Sequence, residues 1–367
     1  MAYYYGTESI YSLIKGQNVN QAMFNFVMVT IALTRPLRHL IANVLRAFGF
    51  MFKIHLLFWW YGSFMLTTLL AGCLSEIALM TLQCFLLAHF FFNLSPSKSL
   101  SYFTLGLLLV CLAFGNTVIP FNLSDTLDFH IKWGWSHWHI FQLFGWKSFL
   151  SIAVVAGFGG FWFRSEFAGM QEEFDKEMEE VSYHPIIFRL FFYFVILILA
   201  SLSKHSPYLM FALLIVIVFL HKKHYRSEEE GELHLRLPLL VAFFTYTLEI
   251  YASLQASWVT PMVEGLQGPA LFASSFLLTG LNEYVLVHAV ETVLRQASES
   301  DKFLSCLGII AGGGLTFFAN SVNIVAKKKL SPFFEFRAIS PIRQILASFS
   351  IAVAVSGLVF LLSYAGL

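Results

Sequence analysis

Charge is what this 367-residue chain has least of: Asp, Glu, Lys and Arg make up 12% of it, against 57% apolar residues and a mean hydropathy of +0.70. A soluble domain of this size exposes too much surface to be covered by so few charges. The charges nearly cancel, at net +1, and no basic cluster is long or aromatic-interleaved enough to track a phosphate backbone, so a nucleic-acid partner is excluded. Cysteine is scarce as well. Cys73, Cys84, Cys111 and Cys306 all lie in apolar segments without metal-ligand spacing, which predicts buried free thiols and indicates no redox compartment. The polar, Tyr-rich first twenty residues lack a basic start, an apolar core and a small-residue cleavage site, so a cleavable signal is not expected there.

What the chain has instead is apolar runs of about 18 residues or more, each long enough for a hydrocarbon core of roughly 30 Å. Its 41 Phe residues suit lipid-facing helix surfaces. The first part, 1–163, holds a span at 21–33, an apolar stretch at 54–92 interrupted at Ser75-Glu76, a run at 102–121 broken at Gly115-Asn116-Thr117, and a span at 147–163. The middle, 164–236, holds two plain spans, 186–202 and 208–220. It also holds two charged segments, 166–180, read as a solvated helix or loop, and 221–236, a loop with acidic Glu228–Glu230. The last part, 237–367, repeats the first: a span at 237–258, a stretch at 270–294 interrupted at Asn282-Glu283, a run at 303–326 with Gly312-Gly313-Gly314 at its middle, and a span at 345–367. The predicted fold class is an all-α polytopic membrane protein in which the same order of elements occurs twice.

Charge asymmetry sets the expected orientation. Counting crossings puts the Arg35–Lys53 stretch, the Lys98 link, both acidic loops and Lys327-Lys328-Lys329 on one face, which therefore carries most of the Lys and Arg and is expected to be cytoplasmic. The first interrupted pair is then entered from the cytoplasm and the second from outside, which makes the two repeats inverted. The expected location is a bacterial-type inner membrane, with the lipid bilayer as partner.

Breaks inside a membrane helix strand backbone groups at several kcal/mol each in order of magnitude, so they survive only where protein or a water-filled cavity satisfies them. The arms of the second pair, 270–280 and 284–294, each cover about half of the hydrocarbon core at 1.5 Å per residue. They predict a re-entrant hairpin with its tip at Asn282-Glu283; the first pair has longer arms, and two full spans remain open for it. Glu76 and Glu283 are carboxylates at membrane depth, where an ionised side chain is disfavoured by about 3 kcal/mol. Such a group is poised to hold either a proton or a metal ion. Ser75, Asn116, Thr117, Asn282, Asn320 and Ser321 offer neutral oxygens to a hard cation, and unwound backbone at Gly115 and Gly312–Gly314 offers carbonyls. Gly312–Gly314 also suit close helix packing.

Other residues carry plainer readings. His130, His137 and His139 among Trp133, Trp135 and Trp138 read as an interfacial aromatic belt, with an external metal site as the alternative. His288 and Glu291 stand at i, i+3 on the outer arm of the second hairpin, where they pair or simply sit near the surface. Glu249 belongs to a proton path or to an interhelical hydrogen bond; Asp125 and Asp128 are expected at the outer aqueous side. An intramembrane metalloprotease would need a His-Glu-x-x-His pair, which the sequence lacks, and no enzyme activity is expected.

At the breaks the sequence resembles the sodium/proton antiporter family of the ion-transporter superfamily. The stretch from Leu74-Ser75-Glu76 to Leu82 resembles that family's first hairpin tip, and Gly115-Asn116-Thr117-Val118-Ile119-Pro120-Phe121 its first break. Leu278-Thr279-Gly280-Leu281-Asn282-Glu283 resembles its second hairpin, and Ala311-Gly312-Gly313-Gly314-Leu315-Thr316 with Ala319-Asn320 its second break. The resemblance runs from about residue 60 to the end and implies a homodimer with an ion site between hairpin tips and broken helices. It implies sodium/proton antiport, with sodium and protons as transported ions, no cofactor, and Glu76 and Glu283 as tentative sodium ligands. An anion or dicarboxylate symporter on the same fold and a relative that has lost transport are the alternatives. The sequence departs from the family pattern at Ile77, at Asn282-Glu283-Tyr284, and at Ser321-Val322-Asn323.

Overall fold

A computed structural model describes residues 19–34, 54–119, 133–179, 206–224, 235–283, 294 and 297–366. The Arg35–Lys53 stretch, Asp125, Asp128, His130, the 186–202 span, Glu228–Glu230, and Tyr284, His288 and Glu291 lie outside the described residues. Every regular element among the described residues is helical. The first part gives α1 (Val19–Leu33), α2 (Leu56–Leu70), α3 (Glu76–Phe90), α4 (Lys98–Gly115) and a short α5 (His137–Ile140). A π-helical turn, Phe141–Gly145, leads on into α6 (Trp146–Trp162). The middle gives α7 (Arg164–Glu179) and α8 (Pro207–His224). The last part gives α9 (Arg236–Val263), α10 (Gly268–Leu281), α11 (Glu299–Gly313), α12 (Ser321–Leu330) and α13 (Pro341–Tyr364).

Glu76–Leu94, Lys98–Gly115, His137–Trp162 and Pro341–Tyr364 are each long and apolar enough to cross a membrane. By contrast α2, with 15 residues, and α10, with 14, span only about 22 Å at 1.5 Å per residue, short of a hydrocarbon core. The outward faces remain apolar: Phe158, Phe161 and Trp162 on α6 and Ile342, Leu346 and Phe360 on α13 are exposed. A soluble monomer does not leave such faces to water. They fit lipid.

Local chemistry sets the ends of these helices. Ser298 caps α11 by accepting from Asp301 N (3.1 Å), with Glu299 and Asp301 in the first turn where the helix dipole favours acid. Asn320 caps α12 through Asn323 N (3.0 Å), and Lys327–Lys329 occupy its last turn, the end that favours cations. Inside the bundle α1 packs on α9 and α3, α13 on α4 and α6, α3 on α12, and α10 along α11. Lys147 is an exception on the otherwise clean 147–163 span: it is buried, its Nζ donating to Ser363 Oγ (3.1 Å) on α13.

The acidic 166–180 segment, expected as a solvated helix or loop, is helical through Glu179, but only one of its faces is solvated. It forms α7, and Phe167, Met170, Phe174 and Met178, spaced at helical period, are buried. Phe174 lies against Trp59 and Phe167 against Trp60 and Phe91 (ring centroids 6.0, 5.4 and 6.2 Å). Its polar face binds helix ends: Gln171 Oε1 accepts from Leu56 N (2.8 Å), Glu166 accepts from Ser97 N, and Glu177 meets His89 Nε2 (3.1 Å). The acid count obscured an amphipathic helix. The same end of the bundle holds the Lys98–Glu335 ion pair and the packing of Phe92 on Phe334, so the Lys98 link, α7 and the segment after Lys327-Lys328-Lys329 share one face. Phe174→Ala, a truncation that costs about 3–5 kcal/mol in a packed core, is expected to speed amide hydrogen exchange throughout α7 while leaving α13 protected; unchanged α7 protection would show that the helix is not held by this face.

Candidate functional site

The first tip is the turn 71–75 between α2 and α3. Ser75 precedes α3 and is buried, and Glu76 is the first residue of α3, where the helix dipole favours negative charge. The tip meets the end of α4, which stops at Gly115. A Cβ at Gly115 would lie 2.8 Å from Thr68 O and 2.8 Å from Ala71 Cβ, and one at Gly72 would overlap the Ile119 carbonyl, so both glycines serve close backbone approach. Across this contact Asn116 Nδ2 donates to Glu76 Oε1 (2.6 Å). Asn116 is 2% exposed, and its Oδ1 is buried with no hydrogen-bond partner. Thr117 is fully buried; its hydroxyl donates to Phe114 O (2.7 Å) and lies 3.2 Å from Ser148 Oγ on α6.

The second tip follows α10. Asn282 is buried, with Nδ2 3.4 Å from Leu248 O on α9, and Glu283 N donates to Ala319 O (2.9 Å), which ties the tip to the break between α11 and α12. Asn320 Nδ2 donates to Glu283 Oε2 (2.8 Å), and Glu283 is itself buried. The break occupies 314–320, and its freed backbone is met by side chains. Asn323 Nδ2 donates to Gly313 O (2.8 Å) and Thr316 O (2.7 Å), and Gln344 Nε2 to Leu315 O (2.9 Å); from the break, Thr316 Oγ1 in turn donates to Gly280 O near the end of α10 (2.6 Å).

The glycine run differs from its expectation as a row of open carbonyls. Gly312 and Gly313 are still helical, Gly312 O accepts from Leu315 N (2.9 Å), and Gly313 O is taken by Asn323. The cause is the cost of an unpaired carbonyl in apolar surroundings. Gly308 and Gly312 instead form a seam with α10: a Cβ at Gly308 would lie 2.6 Å from Phe272 O, and one at Gly312 would overlap Phe276 O. This is the four-residue spacing by which small residues bring membrane helices together. Ser275 Oγ and Ser305 Oγ bond across the same seam (2.9 Å).

Both tips converge on α4. A Cβ at Gly314 would lie 3.0 Å from Leu109 O, and one at Gly313 would touch both Glu283 Oε2 (3.7 Å) and Ala113 Cβ (3.8 Å). Ala113 lies one turn before Asn116, the residue that holds Glu76. The break residues named from sequence therefore gather around the crossing of α4 and α11. No group of three His, Cys, Asp or Glu converges among the described residues.

Some residues of this region were missed from sequence. Asn25 Nδ2 on α1 donates to Thr245 Oγ1 on α9 (3.0 Å) and lies 3.5 Å from Ser321 Oγ, next to Asn320. Asn323 and Gln344 were not singled out as supports either. The available signal was a polar side chain inside an apolar run. The Trp- and His-rich stretch, in contrast, packs as an aromatic cluster: Trp135 stands edge-on to Trp133 and His139 (5.2 and 5.3 Å) and donates to Glu299 Oε2 (2.9 Å). Lys302, bonded to Glu299 (2.8 Å), holds that carboxyl below its usual range, helped by Trp135.

Comparison with curated proteins and with solved structures returned no match. A family model described as "Putative Na+/H+ antiporter" matches residues 1–363, nearly the whole chain. With two carboxylates, Glu76 half-buried and Glu283 buried, facing asparagines at helix breaks, and helices apolar enough to cross a membrane, the chain belongs to this Na+/H+ antiporter family.

Proposed function

We propose that the protein exchanges a monovalent cation, sodium foremost, for protons through Glu76 and Glu283. The observation that carries this reading is the repeated pairing of a carboxylate at a tip with an asparagine at a break: Asn116 Nδ2 on Glu76 and Asn320 Nδ2 on Glu283. A buried carboxylate holds a charge only with a compensating partner, and a proton or a cation can each be that partner. Competition between the two couples their movements. Inverted repeats, re-entrant hairpins and a homodimer in a bacterial-type inner membrane complete the proposal on the resemblance and the charge asymmetry.

The test is proton flux in reconstituted vesicles with a trapped pH dye, adding sodium, potassium and lithium in turn. Sodium is expected to trigger a pH change in the native protein and none above background in Glu283→Gln. Full exchange in Glu283→Gln would remove that residue from the mechanism. An anion substrate would face two carboxylates, so labelled dicarboxylate uptake is expected to stay at background.

A further inference from the structure

The two tips differ in what their oxygens are left to do. We infer a division of labour in which the Glu76–Asn116 site takes the metal cation and the Glu283–Asn320 site takes the proton. The inference rests on the antiport reading above but assigns its two ligands to separate carboxylates, in place of competition at each.

A hard cation sheds water only where several oxygens replace it at once, whereas a proton needs one carboxylate oxygen. At the second break the protein's own donors already occupy the oxygens a cation would use. Ala319 O accepts from Glu283 N, Leu315 O from Gln344, and Gly313 O and Thr316 O from Asn323. The Asn320 amide is engaged at both ends, its Nδ2 on Glu283 and its Oδ1 on Asn323 N. Each of these oxygens already gives a lone pair to a buried donor, which leaves it a poorer ligand for a cation. Protonating Glu283 asks for no new oxygen.

At the first break Phe114 O and Gly115 O likewise accept from Thr117 N and Val118 N, and the difference lies in one side chain. Asn116 Oδ1 is buried and has no donor, although its Nδ2 is fixed on Glu76 at 2.6 Å. An amide oxygen left so is held at a penalty that a cation beside the carboxylate removes. Ser75 and Thr117, both buried, are the chain neighbours of the pair and carry further oxygens. Thr279 Oγ1, near the second tip, is also buried without a partner. A threonine hydroxyl on a helix has the carbonyl one turn back within a rotation of χ1, and Thr279 lies in the α10–α11 seam beside Gly312. An amide oxygen carries no proton to turn toward a carbonyl and has no such recourse.

Two assays on one set of proteoliposomes separate the roles. The first is exchange of labelled for unlabelled sodium at equal pH, which requires no proton; the second is sodium-driven proton flux. Glu283→Gln is expected to keep tracer exchange and lose proton flux. Glu76→Gln is expected to lose both, and Asn116→Leu to raise the half-saturating sodium concentration by about tenfold, as loss of one oxygen to a charged partner does. Asn116→Asp, which keeps an oxygen at this position, is expected to retain tracer exchange and guards against a folding defect in the leucine variant. Tracer exchange lost in Glu283→Gln, or kept in Glu76→Gln, would overturn the division. A native protein that passes sodium in neither assay would instead overturn antiport itself.

Discussion

Gly72→Ala is expected to abolish cation-driven proton flux and to lower the melting temperature by several degrees. The added methyl overlaps the Ile119 carbonyl oxygen and would lie 2.6 Å from its carbon, and both atoms belong to backbone that cannot swing aside as a side chain does. Overpacking of this kind costs about 1–3 kcal/mol, occasionally more. At roughly 2–4 °C per kcal/mol for a chain of a few hundred residues, the shift is measurable. The functional loss is larger than the stability loss because of where the strain is relieved. Either the first tip or the first break must give way, and the 2.6 Å bond between Glu76 and Asn116 spans that contact. Displacement of about 1 Å is enough to cost on the order of 100-fold in a positioned site. Gly62→Ala is the control, since a Cβ there meets nothing within 4 Å. Both variants would be compared by proton flux and thermal melting in detergent; native flux in Gly72→Ala would mean that the tip and the break need not touch.

The second large effect is expected at Asn323. Its Nδ2 serves Gly313 O and Thr316 O together, and Asn323 is 2% exposed. Asn323→Leu keeps the volume and removes both bonds. Each stranded carbonyl costs about 1–3 kcal/mol, so the pair costs roughly 2–6 kcal/mol. Asn323 is buried among the helices, where water does not make good the loss. The expected result is a melting temperature several degrees lower and proton flux at or near background, because Asn320, which holds Glu283, is itself fixed by Asn323 N. Asn323→Asp is expected to fail equally, since a carboxylate cannot donate to a carbonyl, whereas a purely volumetric role would spare it. A leucine variant with native melting and flux would show that the break is supported elsewhere.

These residues also show what sequence could and could not reveal. The two carboxylates and the asparagines at the breaks were legible because each interrupts an apolar run, and a polar group there needs a reason. Their pairing was not, since Glu76 and Asn116 lie 40 residues apart and meet only where the turn after α2 reaches the end of α4. Asn323 marked a departure from the family pattern; its job as a clip across the second break needed coordinates, because the carbonyls it serves lie seven and ten residues back. Asn25 and Thr245 meet across 220 residues and leave no periodic trace. The docked face of α7 was written plainly, at Phe167, Met170, Phe174 and Met178, but the surrounding acids outvoted it in any average over the segment. For the glycine run both sequence readings apply, to different residues: Gly312 packs the seam, and the chain leaves the helix after Gly313.

The seam between α10 and α11 has a mechanical consequence. With Gly308 and Gly312 pressed against the backbone at Phe272 and Phe276, the two helices cannot slide or tilt past one another without opening a void along the joint. They move as a single slab with Glu283 at its edge, so the carboxylate cannot be carried anywhere without its asparagine and its break. The chain enters the slab from α9 through the loop 264–267. Gly265 there holds φ +81° and Gly268, at the head of α10, φ +57°, and a Cβ at either would meet no atom within 4 Å.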